Sequence, residues 1–321
     1  MFGQEDRFDR RTFMKAAGVA GAVSLAGCAD DDGGQEFVTI GTGGTGGVYF
    51  PLGGGMADIM NQHMDGIDAT AESTGASVEN CRLVGNDEMT MALALGNSVL
   101  LAVNGEGDFD EPIDLSAAFG AYQNATQVVV PEDSDVETLA DLEGLDVSVG
   151  APGSGTEVIA EELLNWYGLT YDDINEERLS FAETSDALLD GNIDAGFWSV
   201  AFPASSIEEL ASQRDVRLID FPEEDLDAID EEFPYYAPGV IPAGTYPGQD
   251  ADVNQPGVTN TMIVRSDADE EFIHDVVEVI YENLDTLVDV HPAAEQFEET
   301  ARAAPIDLHP GAERYFDDAG L

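Results

Sequence analysis

Basic residues are scarce in this chain. Its 321 residues hold 11 Lys and Arg against 66 Asp and Glu, a formal net charge of −55. Lys15 is its one lysine. With no basic patch, nucleic acid is excluded as a partner. Cysteine is almost absent: Cys28 and Cys81 stand alone, so no disulfide framework is expected and metal sites built on paired cysteines are ruled out. Cys81 reads as a small core residue of a helix. The histidines, His63, His274, His291 and His309, show no carboxylate or cysteine at metal-ligand spacing. Gly153-Ser154-Gly155 lacks the spacing of a nucleophile elbow. No catalytic group, metal or cofactor is therefore expected, and an enzyme is the disfavoured class.

What the chain has in excess is negative charge. Self-repulsion on this scale works against a compact fold in dilute buffer. At 1 M salt the Debye length falls to about 3 Å and most of the repulsion disappears. Hydrophobic residues make up 43% of the chain, enough for a core. This balance points to a protein of an extreme halophile. The acidic stretches 223–225 and 230–232 read as solvated faces rather than calcium loops.

The N-terminus carries addressing signals. Arg10-Arg11-Thr12-Phe13-Met14-Lys15 reads as a twin-arginine export signal. The apolar run 16–26 is too short to span a bilayer as a helix. It leads into Leu25-Ala26-Gly27-Cys28, which resembles a lipobox, with Cys28 as the lipid anchor. The expected product is exported and held at the outer face of the cell membrane. Residues 1–27 are assigned to the signal and 28–36 to a solvated tether.

From residue 37 onward, strand and helix patterns alternate. Strands are expected at 37–40, 127–131, 146–149, 193–198, 216–219 and 259–264, with helices around 56–60, 136–142, 156–167 and up to 189. The run 99–103 is apolar and buried. Phe272, Val276, Ile280, Leu284 and Val288 form one stripe of a long amphipathic helix. The alternation predicts an α/β fold with largely parallel sheets. Residues 233–257, rich in Pro, Gly and Tyr, predict an ordered loop or a crossing between lobes.

Three neutral, donor-rich tracts each open a helix: 41–51, 72–80 and 150–157. Such a turn points backbone N–H groups at a bound anion. Gly41-x-Gly43-x-x-Gly46 formally fits a dinucleotide fingerprint, but no strand ends in an acidic residue about 20 positions on. The tract at 150–156 lacks the Gly-Lys of a phosphate loop. One shared site for a small polar ligand is the better reading. Its donors would be the amides of Gly43, Gly44, Ser154, Gly155 and Thr156 and the hydroxyls of Thr42, Thr45, Ser73, Thr74, Ser77 and Thr156. Asn80 completes the second tract. Tyr49, Trp198 and Tyr246 are candidates for walling the ligand from water. Arg82 and Arg265 are the arginines nearest these tracts in sequence.

The ordered set of motifs resembles the solute-binding receptors of the TAXI type, which serve TRAP transporters. It comprises Ile40-Gly41-Thr42-Gly43-Gly44 with Gly47-Val48-Tyr49-Phe50-Pro51, then Ser73-Thr74-Gly75 with Ser77-Val78-Glu79-Asn80. Further on come 139–144, 147–156, Asp190-Gly191-Asn192-Ile193-Asp194-Ala195, 241–246 and His309-Pro310-Gly311-Ala312. The resemblance covers residues 37–321. It implies a two-lobe, type II periplasmic-binding-protein-like α/β fold, with a ligand cleft between lobes. Lobe I would comprise 37–121 and 242–321, and lobe II 122–241. It also implies a monomer that hands a small carboxylate, a dicarboxylate or an amino acid such as glutamate, to a TRAP-type permease. A binding protein of an ABC importer, or a ligand-sensing receptor on the same fold, is the alternative. Two positions depart from the pattern. Asn97 stands where relatives carry an aspartate, which would deprive a ligand ammonium of a partner, and Ala76 replaces a usual glycine.

Overall fold

The computed structural model describes residues 36–233 and 235–321. The twin-arginine signal, Cys28 and the tether up to residue 35 lie outside the described residues. Among those described, no helix is long and apolar enough to cross a membrane.

The first half runs β1 (Glu36–Gly41), α1 (Tyr49–His63), β2 (Ile67–Glu72), α2 (Ser77–Gly85), β3 (Met91–Leu95), α3 (Gly96–Asn104) and the long β4 (Leu115–Pro131). Next come β5 (Asp146–Ser148), α4 (Gly155–Trp166), β6 (Asn175–Glu177), α5 (Phe181–Asp190), β7 (Ala195–Val200), α6 (Ser205–Gln213), β8 (Val216–Leu218) and α7 (Glu223–Glu232). The chain closes with β9 (Tyr236–Ile241), β10 (Val253–Arg265), α8 (Glu270–Tyr281), α9 (Leu284–Val290), α10 (Phe297–Thr300) and α11 (Pro310–Ala319).

The strands line up as β2-β1-β3-β10-β4-β7-β5-β6, with β8 added to β4 and β9 to β10. At one end β1 pairs in parallel with β2 and β3. At the other, β5 pairs in parallel with β6 and β7. Between them β4 and β10 run antiparallel to each other and to their neighbours β3 and β7. Two parallel half-sheets are thus joined through two long strands. The expected parallel pairing holds at the ends and gives way to antiparallel pairing in the middle.

Several expectations change in detail. The apolar run 99–103, expected to be buried, belongs to α3, ended by Gly105 at φ +68°; only Val99 and Ala102 of it are buried, because a helix turns its other positions away from the core. The helix expected over 136–142 shortens to one 3₁₀ turn, Leu139–Leu142. The stripe from Phe272 to Val288 is cut into α8 and α9 around Asn283. Within 233–257, expected as an ordered loop or a crossing between lobes, residues 236–241 form β9 and 253–257 the start of β10, paired from Val253↔Ile241 to Val258↔Tyr236 and joined by a connecting segment over 242–252. Cys81 is fully buried in α2, as a core residue should be.

Candidate functional site

In a parallel sheet, ligands gather where the strands end in their carboxyl termini, because helices begin there. Here both half-sheets direct those ends to one place. The turn after β1 leads into α1, the turn after β2 into α2, the turn after β5 into α4 and the turn after β6 into α5. A cavity of about 280 Å³ lies among these four helix starts, lined by residues of all four turns together with Leu95, Tyr122, Ser199 and Val200. That volume sits at the small end of ligand pockets, about 300–1,000 Å³.

The lining contains no Asp, Glu, Lys, Arg or His, although 66 of the 321 residues are acidic. The nearby carboxylates are turned back onto the backbone. Glu79 accepts from the Gly75 amide. Glu157 accepts from the Gly153 amide at 2.8 Å and pairs with Arg178 at 2.5 Å. Positive potential comes instead from helix N-termini. The amides of Gly155 and Thr156, first in α4, and of Phe181 and Ala182, first in α5, have no hydrogen-bond partner among the described residues. α2 has no side-chain cap. Its Val78 and Glu79 amides donate to the Gly153 carbonyl at 3.1 and 3.2 Å, so the loop before α4 caps a helix of the other half-sheet.

The hydroxyls divide by direction. Ser73 Oγ donates to the Gly43 carbonyl at 2.9 Å. Thr74 Oγ1 lies 2.9 Å from the Thr42 carbonyl and 2.7 Å from Asn80 Oδ1. These two line the cavity but spend their protons on building its loops. Ser77, Ser154 and Thr156 behave differently: each oxygen accepts from a backbone amide, of Leu95 at 3.0 Å, Glu157 at 3.2 Å and Ser199 at 3.4 Å. Their own O–H groups remain free to donate. Gly43, Gly44, Thr45 and Gly155 also line the cavity, as does Tyr49. The Tyr49 hydroxyl donates to Asn260 Oδ1. Burial drives its pKa far up, so it stays a neutral donor.

Other residues expected at the site stand behind its wall. Thr42 is fully buried and donates to the Glu72 carbonyl at 2.6 Å. Asn80 is fully buried and ties the carbonyls of Thr42 and Leu93, each at 2.7 Å. Trp198 packs in the core under Phe181, with ring centroids 6.2 Å apart, and donates to Ser206 Oγ at 3.1 Å. The Tyr246 hydroxyl donates to Gln127 Oε1 at 2.6 Å and accepts from the Ala204 amide at 3.0 Å. Asn97 is buried in α3 away from the lining; its amide has no hydrogen-bond partner, though the Glu162 carboxylate lies alongside. The substitution at 97 therefore does not alter the charge of the cavity wall. Arg82 sits over the Phe109 ring at 5.3 Å, and Arg265 pairs with Asp267 at 2.6 Å, so neither arginine reaches the cavity.

Sequence reasoning missed the turn before α5, Tyr122 and the end of β7. Ser180 and Glu183 form a capping box, Ser180 donating its amide to Glu183 at 2.9 Å. That four-residue signature was present to be found. It also missed a carboxylate at ligand spacing from a histidine. His274, Asp275 and Glu278 of α8 bring possible ligand atoms within 4.8 Å of one another, on a helix that contributes nothing to the cavity.

A family model described as the NMT1-like family matches residues 40–320. The chain belongs to the NMT1-like family. Among solved structures, this family member is similar to one reported for glutathione import in Gram-positive bacteria via GshT and the cystine ABC importer TcyBC of Streptococcus mutans. The identity is 15%, over 83% of this chain and 96% of that one, with a TM-score of 0.51. It is also similar to a putative L-cystine ABC transporter from Listeria monocytogenes, at 13% identity over 84% and 99% of the two chains and a TM-score of 0.50. At such identities the likeness is one of fold, that of the type II periplasmic binding proteins.

Proposed function

We propose that this protein is an extracytoplasmic receptor that binds a small carboxylate and hands it to a membrane importer. The observation that carries the reading is the cavity itself: four helix N-termini meet at a wall free of charged side chains in a strongly acidic protein. Charge-assisted hydrogen bonds of about 1.5–3 kcal/mol each, from free amides and from Ser77, Ser154 and Thr156, supply affinity where long-range attraction does not. A wall with no carboxylate offers an ammonium group no partner, which favours an amine-free carboxylate over an amino acid.

Lobe I, residues 37–121 and 242–321, and lobe II, residues 122–241, would close on the solute by bending within the long strands β4 and β10. The ABC importers named for both structural neighbours support an ABC permease as the recipient. A TRAP permease is the second reading, favoured by the ordered TAXI-like motifs. The receptor would work as a monomer in molar salt, tethered through Cys28.

The test is thermal unfolding of residues 36–321 in molar salt against carboxylates, amino acids and sugars. A ligand at 100 times its Kd adds about 2.7 kcal/mol. Stabilisation by carboxylates alone is the expected result. Stabilisation by sugars alone, or by nothing even after refolding from denaturant, defeats the reading. Co-purification of the full chain with either permease type decides the recipient.

A further inference from the structure

Arg178 stands on the turn from β6 into α5. Its Nε donates to Glu157 Oε1 of α4 at 2.5 Å, and its Nη1 to Glu176 Oε1 of β6 at 2.6 Å. The guanidinium also lies over the Tyr171 ring, 5.5 Å from the centroid, and the Tyr171 hydroxyl donates to the Glu157 carbonyl at 2.7 Å. Through Oε2, Glu157 accepts from the Gly153 amide at 2.8 Å. One cation thus ties the turn before α4 to the turn before α5, two of the four turns around the cavity.

The place of Glu157 gives that cation its weight. Glu157 is the third residue of α4, next to Thr156 in the cavity lining. A carboxylate at a helix N-terminus draws on the same positive end that an anionic solute would use. α2 and α5 carry glutamates at the equivalent position, Glu79 and Glu183. Both are exposed, so water and salt screen them. The Glu157 side chain is only 18% exposed, and screening reaches it much less. Of the three glutamates, Glu157 alone pairs with an arginine among the described residues. Cations are scarce in this chain, 11 against 66 acidic residues, yet one stands at this carboxylate.

We infer that Arg178 is a positioning residue for solute binding. By neutralising Glu157 and holding it beside the Gly153 amide, it leaves the start of α4 open to the negative group of the solute. This rests on the carboxylate reading above. Without Arg178, the solute meets an uncompensated charge beside the lining. Removing the Glu157 charge as well restores the balance, because a glutamine there keeps an acceptor for the Gly153 amide.

The experiment measures Kd by titration calorimetry in molar salt, with butyrate, 2-oxobutyrate, succinate and glutarate as probes. Wild type is compared with Arg178→Met, Arg178→Lys, Glu157→Gln and the double variant Glu157→Gln, Arg178→Met. Wild type is expected to bind at least one probe, and the tightest is carried through the series. Arg178→Met should bind it about five-fold more weakly. Glu157→Gln should bind it about two-fold or more tighter, because the arginine is freed of one carboxylate. The double variant should return close to wild type, and Arg178→Lys, which keeps the charge but not the fork, should retain most of the affinity. A merely structural clamp would leave the double variant and Arg178→Lys as weak as Arg178→Met, and that result overturns the proposal. Wild-type affinity in Arg178→Met overturns it too, and both results leave the carboxylate reading standing. Should Arg178→Met fail to fold, Glu157→Gln decides alone: tighter binding upholds the role, and unchanged or weaker binding overturns it. Failure of wild type to bind any of the acids overturns both readings.

Discussion

The phenol of Tyr49 donates to Asn260 Oδ1 across 211 positions of sequence. The amide of the same asparagine then donates to the Tyr122 carbonyl at 3.0 Å. One side chain thereby joins the start of α1, the long strand β10 and the long strand β4. Asn260→Ala would strand a buried phenol without its acceptor, at a cost of about 1–3 kcal/mol. The urea midpoint is expected to fall with an unchanged m-value. An unchanged midpoint would show that the Tyr49 hydroxyl finds another acceptor.

Ser154 and Thr156 separate stability from binding. Ser154 caps α4 through the Glu157 amide at 3.2 Å, so Ser154→Ala should cost about 1 kcal/mol of stability. Thr156 accepts from the Ser199 amide at 3.4 Å, a long contact that contributes less. Both residues line the cavity. The double variant Ser154→Ala, Thr156→Ala is expected to unfold cooperatively yet bind its carboxylate at least ten-fold more weakly. Calorimetry that returns the wild-type Kd would remove both hydroxyls from the site.

Ala76 offers a gain. It precedes α2 at φ +74° and ψ −142°, a conformation that only glycine adopts at low cost. This is the physical reason a glycine suits the position. Ala76→Gly relieves strain of about 1–2 kcal/mol and loses part of it to the greater freedom of the unfolded chain. A rise in melting temperature of about 2 °C is expected. A fall would mean that the Ala76 methyl, packed towards Gly43, contributes more by contact than it costs in strain.

The loops of the site were legible because glycine-, serine- and threonine-rich turns between strand and helix announce backbone donors. Thr42 and Asn80 carry the right chemistry in the right tracts, yet they tie loops together from behind. Sequence shows where a hydroxyl is, not which way it points. Trp198 and Tyr246 illustrate the same limit, as both turn into the core and support the wall through Ser206 and Gln127. Tyr122 was invisible because the middle of β4 is buried on both faces and shows no alternation. The antiparallel centre was hidden because pairing between β4 and β10 joins segments far apart in the chain.

His309 gives the fold a pH dependence. It is buried, with Nδ1 facing the Gly311 amide at 3.2 Å and Nε2 facing the Ala268 carbonyl at 3.2 Å. Burial lowers its pKa below the ordinary value of 6.5. As pH falls through about 6.5 the unfolded chain takes up the proton first, so stability drops from there down to the folded-state pKa. His291, lowered for the same reason, adds to the slope. His309→Gln should flatten stability against pH over this range, by at most about 1.4 kcal/mol per pH unit. Parallel curves for wild type and variant would mean that folding leaves the pKa of His309 unchanged.

Gly155 tests closure. A Cβ there would lie 2.5 Å from Leu95 Cδ1, 2.7 Å from Ser77 Oγ and 3.0 Å from Ser77 Cβ. Ser77 and Leu95 belong to the first half-sheet and Gly155 to the turn after the second. The same approach lets the Gly153 carbonyl cap α2. Leu95 is buried and has little room to swing aside. Gly155→Ala should therefore hold the halves apart and weaken solute binding by ten-fold or more. One hydrophobic core runs from Val38 and Ile40 to Leu188 and Ile207, and Gly155 lies at the cavity rather than in that core, so the free variant should still unfold cooperatively. Calorimetry reads the affinity, and small-angle scattering reads whether saturating solute still compacts the protein. Wild-type affinity together with wild-type compaction would show that the tight approach of Gly155 to Ser77 is not what closes the site.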